Sequence, residues 1–219
     1  MYTEYDGEII IKSRPLLIFF INTVVFFGIY IILGMFFADT IGDALCMTIA
    51  VSISTILSAV AIKDEIKDCF KRLEFKQFIV WVVGGYLLFF IVEPFVIAPI
   101  IEHVFNLQPE TTNNELVTQI TSTSPIIYFI AFSFLMPIRE ELVYRYSLIG
   151  TGDSFLILRV LFSSGLFAYM HLAGGPMIYG VYYLFFALIL AFIYEHSDGN
   201  ILYPIALHIV NNFIALLIS

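Results

Sequence analysis

Three short clusters of polar residues interrupt otherwise apolar stretches of this chain. The first is Arg139-Glu140-Glu141, with Arg145 just beyond it. The second closes a stretch at Phe167-Ala168-Tyr169-Met170-His171, and the third is His208-Ile209-Val210-Asn211-Asn212. On a helix Glu141 and Arg145 lie at i and i+4, share a face and can pair. Glu140 then points about 100° away from Glu141, so one carboxylate is neutralised and the other is left for something else. Phe167 and His171 are one helical turn apart, as are His208 and Asn212. A carboxylate can take a proton from water, and a neighbouring histidine can share or orient that water. A second histidine and an asparagine amide can donate hydrogen bonds to an oxyanion. These are the parts for hydrolysing an amide without a covalent intermediate. Each cluster also has a plainer reading. Charges gather where a helix meets a membrane interface, a lone histidine can end a helix, and a polar pair can bond helix to helix.

The elements that must hold these groups are membrane helices. Of 219 residues, 60 % are hydrophobic and 13 % charged, against about 25 % charged in an ordinary soluble domain. Mean hydropathy is +0.95. A soluble fold of this length could not hide so much apolar surface, which excludes soluble and disordered classes. A spanning helix needs roughly 20 apolar residues. Seven apolar segments meet that need, at about 15–38, 41–62, 78–101, 124–149, 154–171, 176–195 and 199–218. The expected fold is an all-α, polytopic membrane helix bundle of about seven transmembrane helices, a single membrane domain over residues 1–219. Net charge is −8 and the pI about 4.8, which argues against a nucleic-acid partner. Cys46 and Cys69 form no ligand motif and read as free thiols. The acidic N-terminus (Glu4, Asp6, Glu8) and the long apolar run behind it read as a retained first helix, not a cleaved signal.

Charge placement predicts orientation. Seven of the ten Lys and Arg lie before the first segment (Lys12, Arg14) or between the second and third (Lys63, Lys67, Lys71, Arg72, Lys76). The loop between the first two segments has none, and neither has the polar loop at 102–123 with Gln108, Pro109, Thr111, Asn113 and Asn114. The positive-inside rule then makes residues 1–14 and the basic loop 63–76 cytoplasmic, and seven spans put Ser219 outside. Ile66, Cys69, Phe70 and Leu73 recur at helical spacing, the pattern of an interfacial amphipathic helix. On this topology Glu140 and His208 fall at different depths and His171 at the far end of the fifth segment. For them to meet, that helix must be short, tilted or sunk into the bundle.

Glu140-Glu141-Leu142-Val143-Tyr144-Arg145 fits E-E-x-x-x-R, Phe167 to His171 fits F-x-x-x-H, and His208 to Asn212 fits H-x-x-x-N. In this order, each on an apolar segment, they resemble the CPBP family of intramembrane proteases (CAAX proteases and bacteriocin-processing enzymes), which includes the Ras-converting CAAX endopeptidases. The resemblance covers residues 124–219, the expected catalytic core. It implies that Glu140 is a general base that activates water with His171. It implies that His208 and Asn212 form the oxyanion site, that Glu141 and Arg145 hold the site's shape, and that Phe167 walls the pocket. It implies a conical cavity open to the cytosol and partly to lipid. The implied substrate is a peptide or protein, lipid-modified or membrane-associated, and for a short chain like this one, peptide processing such as bacteriocin maturation. No cofactor is expected. The alternative is a zinc site formed by Glu140, His171 and His208, since a Glu with two His is also a zinc set. The sequence lacks H-E-x-x-H, and an asparagine suits an oxyanion better than zinc.

Other residues are less specific. Glu93-Pro94 lies deep in the third segment and reads as a helix kink with the acid facing the bundle, or as part of a cavity wall or substrate site. Tyr179, Tyr182 and Tyr183 read as packing and interface residues. Pro137 predicts a kink or break before Glu140, and Pro204 a lost hydrogen bond one turn before His208. Two functions of other classes use the same features: a non-catalytic peptide-binding immunity protein, and a transporter relaying protons through Glu93 and Glu140. The inverted repeats that would mark the transporter are absent from the sequence.

Overall fold

A computed structural model describes residues 2–5, 8–11, 13–107, 125–151 and 154–218. Strands β1 (Tyr2–Tyr5) and β2 (Glu8–Ile11) form a short antiparallel hairpin at the N-terminus. The remaining described elements are helical: α1 (13–41), α2 (Asp43–Ala61), α3 (Lys63–Lys71), α4 (Phe75–Phe105), α5 (125–149), α6 (Leu156–Met170), α7 (Gly180–His196) and α8 (Leu202–Ile218), with one 3₁₀ turn at Met177–Tyr179. The architecture is thus an all-α membrane helix bundle, as the composition predicts.

Each of the seven apolar segments is helical. Among the described residues four helices are long and apolar enough to cross a membrane: 14–41, 43–61, 75–105 and 177–196. This is fewer than the seven spans expected. Helices α6 and α8 are shorter apolar helices, and α5 carries Arg139, Glu140, Glu141 and Arg145 in its interior. Length and charge are spent there on the site, not on matching the bilayer. Large apolar side chains cover the exterior, with Phe75 and Phe95 at 81 % and 75 % exposure. A surface of that kind belongs against lipid. The polar-loop residues Gln108, Pro109, Thr111, Asn113 and Asn114 lie outside the described residues.

The centre of the bundle is α7. Its Phe186, Ala187, Leu190 and Ile193 are buried in one cluster with Val143, Phe167, Tyr203 and Leu207. At Gly85 the chain passes so close that an added Cβ would stand 2.7 Å from Leu207 and 3.1 Å from Ile193. A small residue there lets α4 lie against α7 and α8, the usual device for close helix contact in lipid.

The basic stretch is the amphipathic helix α3, but its apolar face is shared between protein and surroundings. Cys69 is buried with Ile149, Ala191, Tyr194 and Ile201, while Phe70 is exposed. Cys46 and Cys69 are free. Asn200 fastens α3 to α8: its Nδ2 donates to the Cys69 carbonyl (2.9 Å) and its Oδ1 accepts from the Leu202 amide (3.2 Å). Pro204 is therefore in the first turn of α8, where no intrahelical donor is needed. It marks the start of the helix and does not interrupt it. Replacing Asn200 with Ala removes both bonds and should cost about 1–2 kcal/mol. A lowered thermal midpoint in detergent with helical content retained is the expected result.

Candidate active site

Helix α5 sets Glu140 and Glu141 between two widened turns, Ala131–Leu135 before them and Leu142–Ile149 after. Such π turns recur at functional sites because they shift side-chain register within a helix. Pro137 follows the first of them, and the helix continues through it without the predicted break. In the second, Ser147 Oγ donates to the Leu142 carbonyl (2.7 Å) and the Gly150 amide to the Arg145 carbonyl (2.8 Å).

Glu141 is completely buried. Its Oε1 accepts from Arg145 Nη1 at 3.0 Å and from His208 Nδ1 at 2.8 Å. Arg145 is also buried, and its Nη2 donates to the Ala187 carbonyl of α7 at 3.0 Å. The pairing expected from i, i+4 spacing is present, and it joins α5, α7 and α8 in one charged cluster. Because Nδ1 of His208 is held by Glu141, its Nε2 is turned to Glu140.

Glu140 is the second carboxylate, at the cavity wall. Its Oε2 lies 3.7 Å from His171 Nε2 and 3.6 Å from His208 Nε2. Those separations are too long for direct hydrogen bonds, yet close enough for one water to touch the oxygen and an imidazole. His171 follows the last residue of α6, and its Nδ1 donates to the Phe167 carbonyl at 2.8 Å. Its Nε2 is thereby left without a proton in the neutral ring. Helix α6 has 15 residues, about 22 Å at 1.5 Å per residue, against about 30 Å of hydrocarbon. A helix this short ends inside the bundle, which resolves the difference in depth between His171 and Glu140.

Phe167 does more than wall a pocket. Its ring stacks on His171 (4.1 Å between centroids), meets His208 edge-on (5.8 Å) and packs against Tyr144 (5.1 Å). Both imidazoles are oriented by one fully buried ring. Asn212 lines the same cavity, but its Nδ2 donates to the Phe132 carbonyl at 3.1 Å and its Oδ1 accepts from Asn211. One amide hydrogen is left for a ligand.

The cavity measures about 750 Å³. Residues before 100 supply much of its wall, among them Phe26, Tyr86, Phe89 and Glu93. Sequence motifs could not reveal that role. Arg139 also lines it. Its Nη2 donates to the Asn22 carbonyl of α1 at 2.6 Å, and its guanidinium stands 3.9 Å from the Phe26 ring centre. Its place beside Glu140 was the one available signal. Tyr183, 5.0 Å from His171, is another wall residue that its sequence cluster left unassigned. Both imidazole Nε2 atoms pair with one oxygen of Glu140, and among the described residues no group of three or more His, Cys, Asp or Glu is arranged to hold a metal ion.

Residues 122–214 match the family model described as Rce1-like, type II CAAX prenyl endopeptidase Rce1-like. That stretch holds all three motifs, and its similarity supports the CPBP/CAAX protease family and an intramembrane endopeptidase in general. Comparison with curated proteins and with solved structures returns no match.

Removing one partner of a buried charge pair costs about 3–5 kcal/mol. Arg145→Met should lower the thermal midpoint sharply, because it leaves Glu141 with His208 alone. Phe167→Ala should cost a similar amount, about 3–5 kcal/mol. A midpoint unchanged in either variant would contradict the packing described.

Proposed function

We propose that the chain hydrolyses a peptide bond in this cavity by a water that Glu140 and His171 activate. The observation that carries the reading is the convergence of two imidazole Nε2 atoms on one Glu140 oxygen, at 3.7 and 3.6 Å. Glu140 takes a proton from water while His171 Nε2 orients it. The hydroxide adds to the carbonyl carbon, and the carbonyl oxygen becomes an oxyanion. His208 Nε2–H and the remaining Asn212 amide hydrogen stabilise that charge. Glu141 supports this role by holding Nδ1 at 2.8 Å, which leaves Nε2 facing Glu140 and the cavity. The intermediate collapses, the C–N bond breaks, and Glu140 returns its proton to the leaving amine. Arg145 and Phe167 hold the groups in place. The proposed domain is one membrane unit with residues 124–219 as its catalytic core.

The substrate in this reading is a membrane-associated peptide or protein. The basic residues of α3 and Arg14 support a cytoplasmic N-terminal side, with cleavage near that face. No metal takes part in the proposed reaction.

The test is cleavage of a quenched fluorescent peptide library in detergent or liposomes. Glu140→Gln and His208→Ala should each lower turnover about 10²–10⁴-fold with the fold retained, and a zinc chelator should have no effect. Retained turnover in Glu140→Gln would overturn the assignment. Loss of turnover with chelator, restored by zinc, would move Glu140, His171 and His208 into a metal site.

A further inference from the structure

Glu93 is a carboxylate that the proposed hydrolysis does not use. It opens the widened turn Glu93–Ile97 of α4 and lines the same cavity as Glu140. The π turn accommodates Pro94 within the helix and turns the acid inward. Among the described residues no hydrogen bond or ion pair engages it. Across from it, Tyr182 of α7 is 5 % exposed, and its hydroxyl is buried without a hydrogen-bond partner among the described residues. It lines the cavity and lies close enough to interact electrostatically with Glu93.

An ionisable group in an apolar wall is costly, and it is normally matched by a partner or a ligand. No partner is supplied here by the described protein, and an unbonded buried hydroxyl beside the acid carries a cost of its own. The surrounding wall is aromatic: Tyr86 and Phe90 stack at 5.9 Å, and Phe89 lines the cavity beside them. A carboxylate with aromatic faces and a phenol is a receptor for a cation, through charge pairing and cation–π attraction. Arg139 carries the opposite charge elsewhere on the same cavity wall. Glu140 beside it offsets that charge, so Glu93 is the carboxylate left to draw a cationic group.

We propose that Glu93 and Tyr182 form a specificity subsite for a cationic nitrogen of the peptide, a lysine or arginine side chain or a free amino terminus. This rests on the reading of the cavity as a peptide-hydrolysing site. The subsite fixes how far such a peptide slides past Glu140, and so which bond is cut.

The test uses short apolar fluorogenic peptides that carry one lysine, or its uncharged isostere norleucine, scanned through the sequence. Each is made with a free and an acetylated amino terminus. At the best position wild type should prefer lysine by about tenfold in kcat/KM, equivalent to about 1.4 kcal/mol. Glu93→Gln should reduce that ratio to about one, and Glu93→Lys should invert it toward glutamate-bearing peptides. Tyr182→Phe should weaken the ratio and keep its sign. A preference lost on acetylation instead assigns the subsite to the amino terminus. The same peptides are measured for binding to Glu140→Gln by fluorescence anisotropy, which needs no turnover. Cleavage without any charge preference, or a preference that survives Glu93→Gln, overturns the subsite and leaves the protease. Glu93-dependent binding without cleavage by wild type overturns the protease and leaves the subsite. Neither binding nor cleavage of any peptide overturns both.

Discussion

A carboxylate at the centre of a membrane protein is costly unless partners engage it. Glu141 meets that demand through Oε1, which accepts from both Arg145 and His208, while its Oε2 is buried without a hydrogen-bond partner among the described residues. Taking three such groups out of water is unfavourable for each alone. Together they hold one another, and they must move together. Arg145 extends the cluster to the Ala187 carbonyl, so the charges double as the fastening between α5, α7 and α8. The direction in which His208 presents Nε2 follows from this fastening, because a ring held by its Nδ1 has only one way to face.

Backbone irregularity completes the arrangement. Two widened turns flank Glu140 and Glu141, and a third begins at Glu93. In a regular helix adjacent residues diverge by a constant angle, and neighbouring polar groups then serve unrelated faces. A π turn resets that register locally. It also absorbs a proline, since a wider turn tolerates a missing donor and a ring that would collide with the preceding carbonyl. The short α6 acts by length. Ending within the bundle, it delivers His171 to the depth of Glu140, and Phe167 one turn earlier seats both imidazoles.

The cavity is built by the whole chain, although the chemistry comes from its second half. Arg139 reaches from the site to the Asn22 carbonyl in α1 and rests on Phe26. The motif-free helices α1 and α4 thus enclose a space that the motif-bearing helices could not close alone. Enclosure matters because charge interactions strengthen as water is excluded. It also sets the guanidinium beside Glu140 and the carboxylate at Glu93 in one aromatic wall.

Much of this was legible in the residues themselves. Apolar runs of about 20 residues require helices in lipid, because a helix satisfies its own backbone polar groups there and a barrel strand spans with about half that length. The i, i+4 spacing of Glu141 and Arg145 permits their pairing, and the three motifs in order point to the family whose model matches residues 122–214. These are local or compositional properties, and a sequence carries them explicitly. Only the tertiary structure decided that Glu141 also holds His208, that Phe167 touches both histidines, and that Asn212 is half committed to the Phe132 carbonyl. Only it decided that Pro204 starts a helix, that Pro137 is carried through one, and that Glu93 faces the cavity across from Tyr182. Those outcomes depend on helix length, register shifts and contacts between residues far apart in the chain. Packing sets them, and no single stretch of sequence contains the neighbours that decide it.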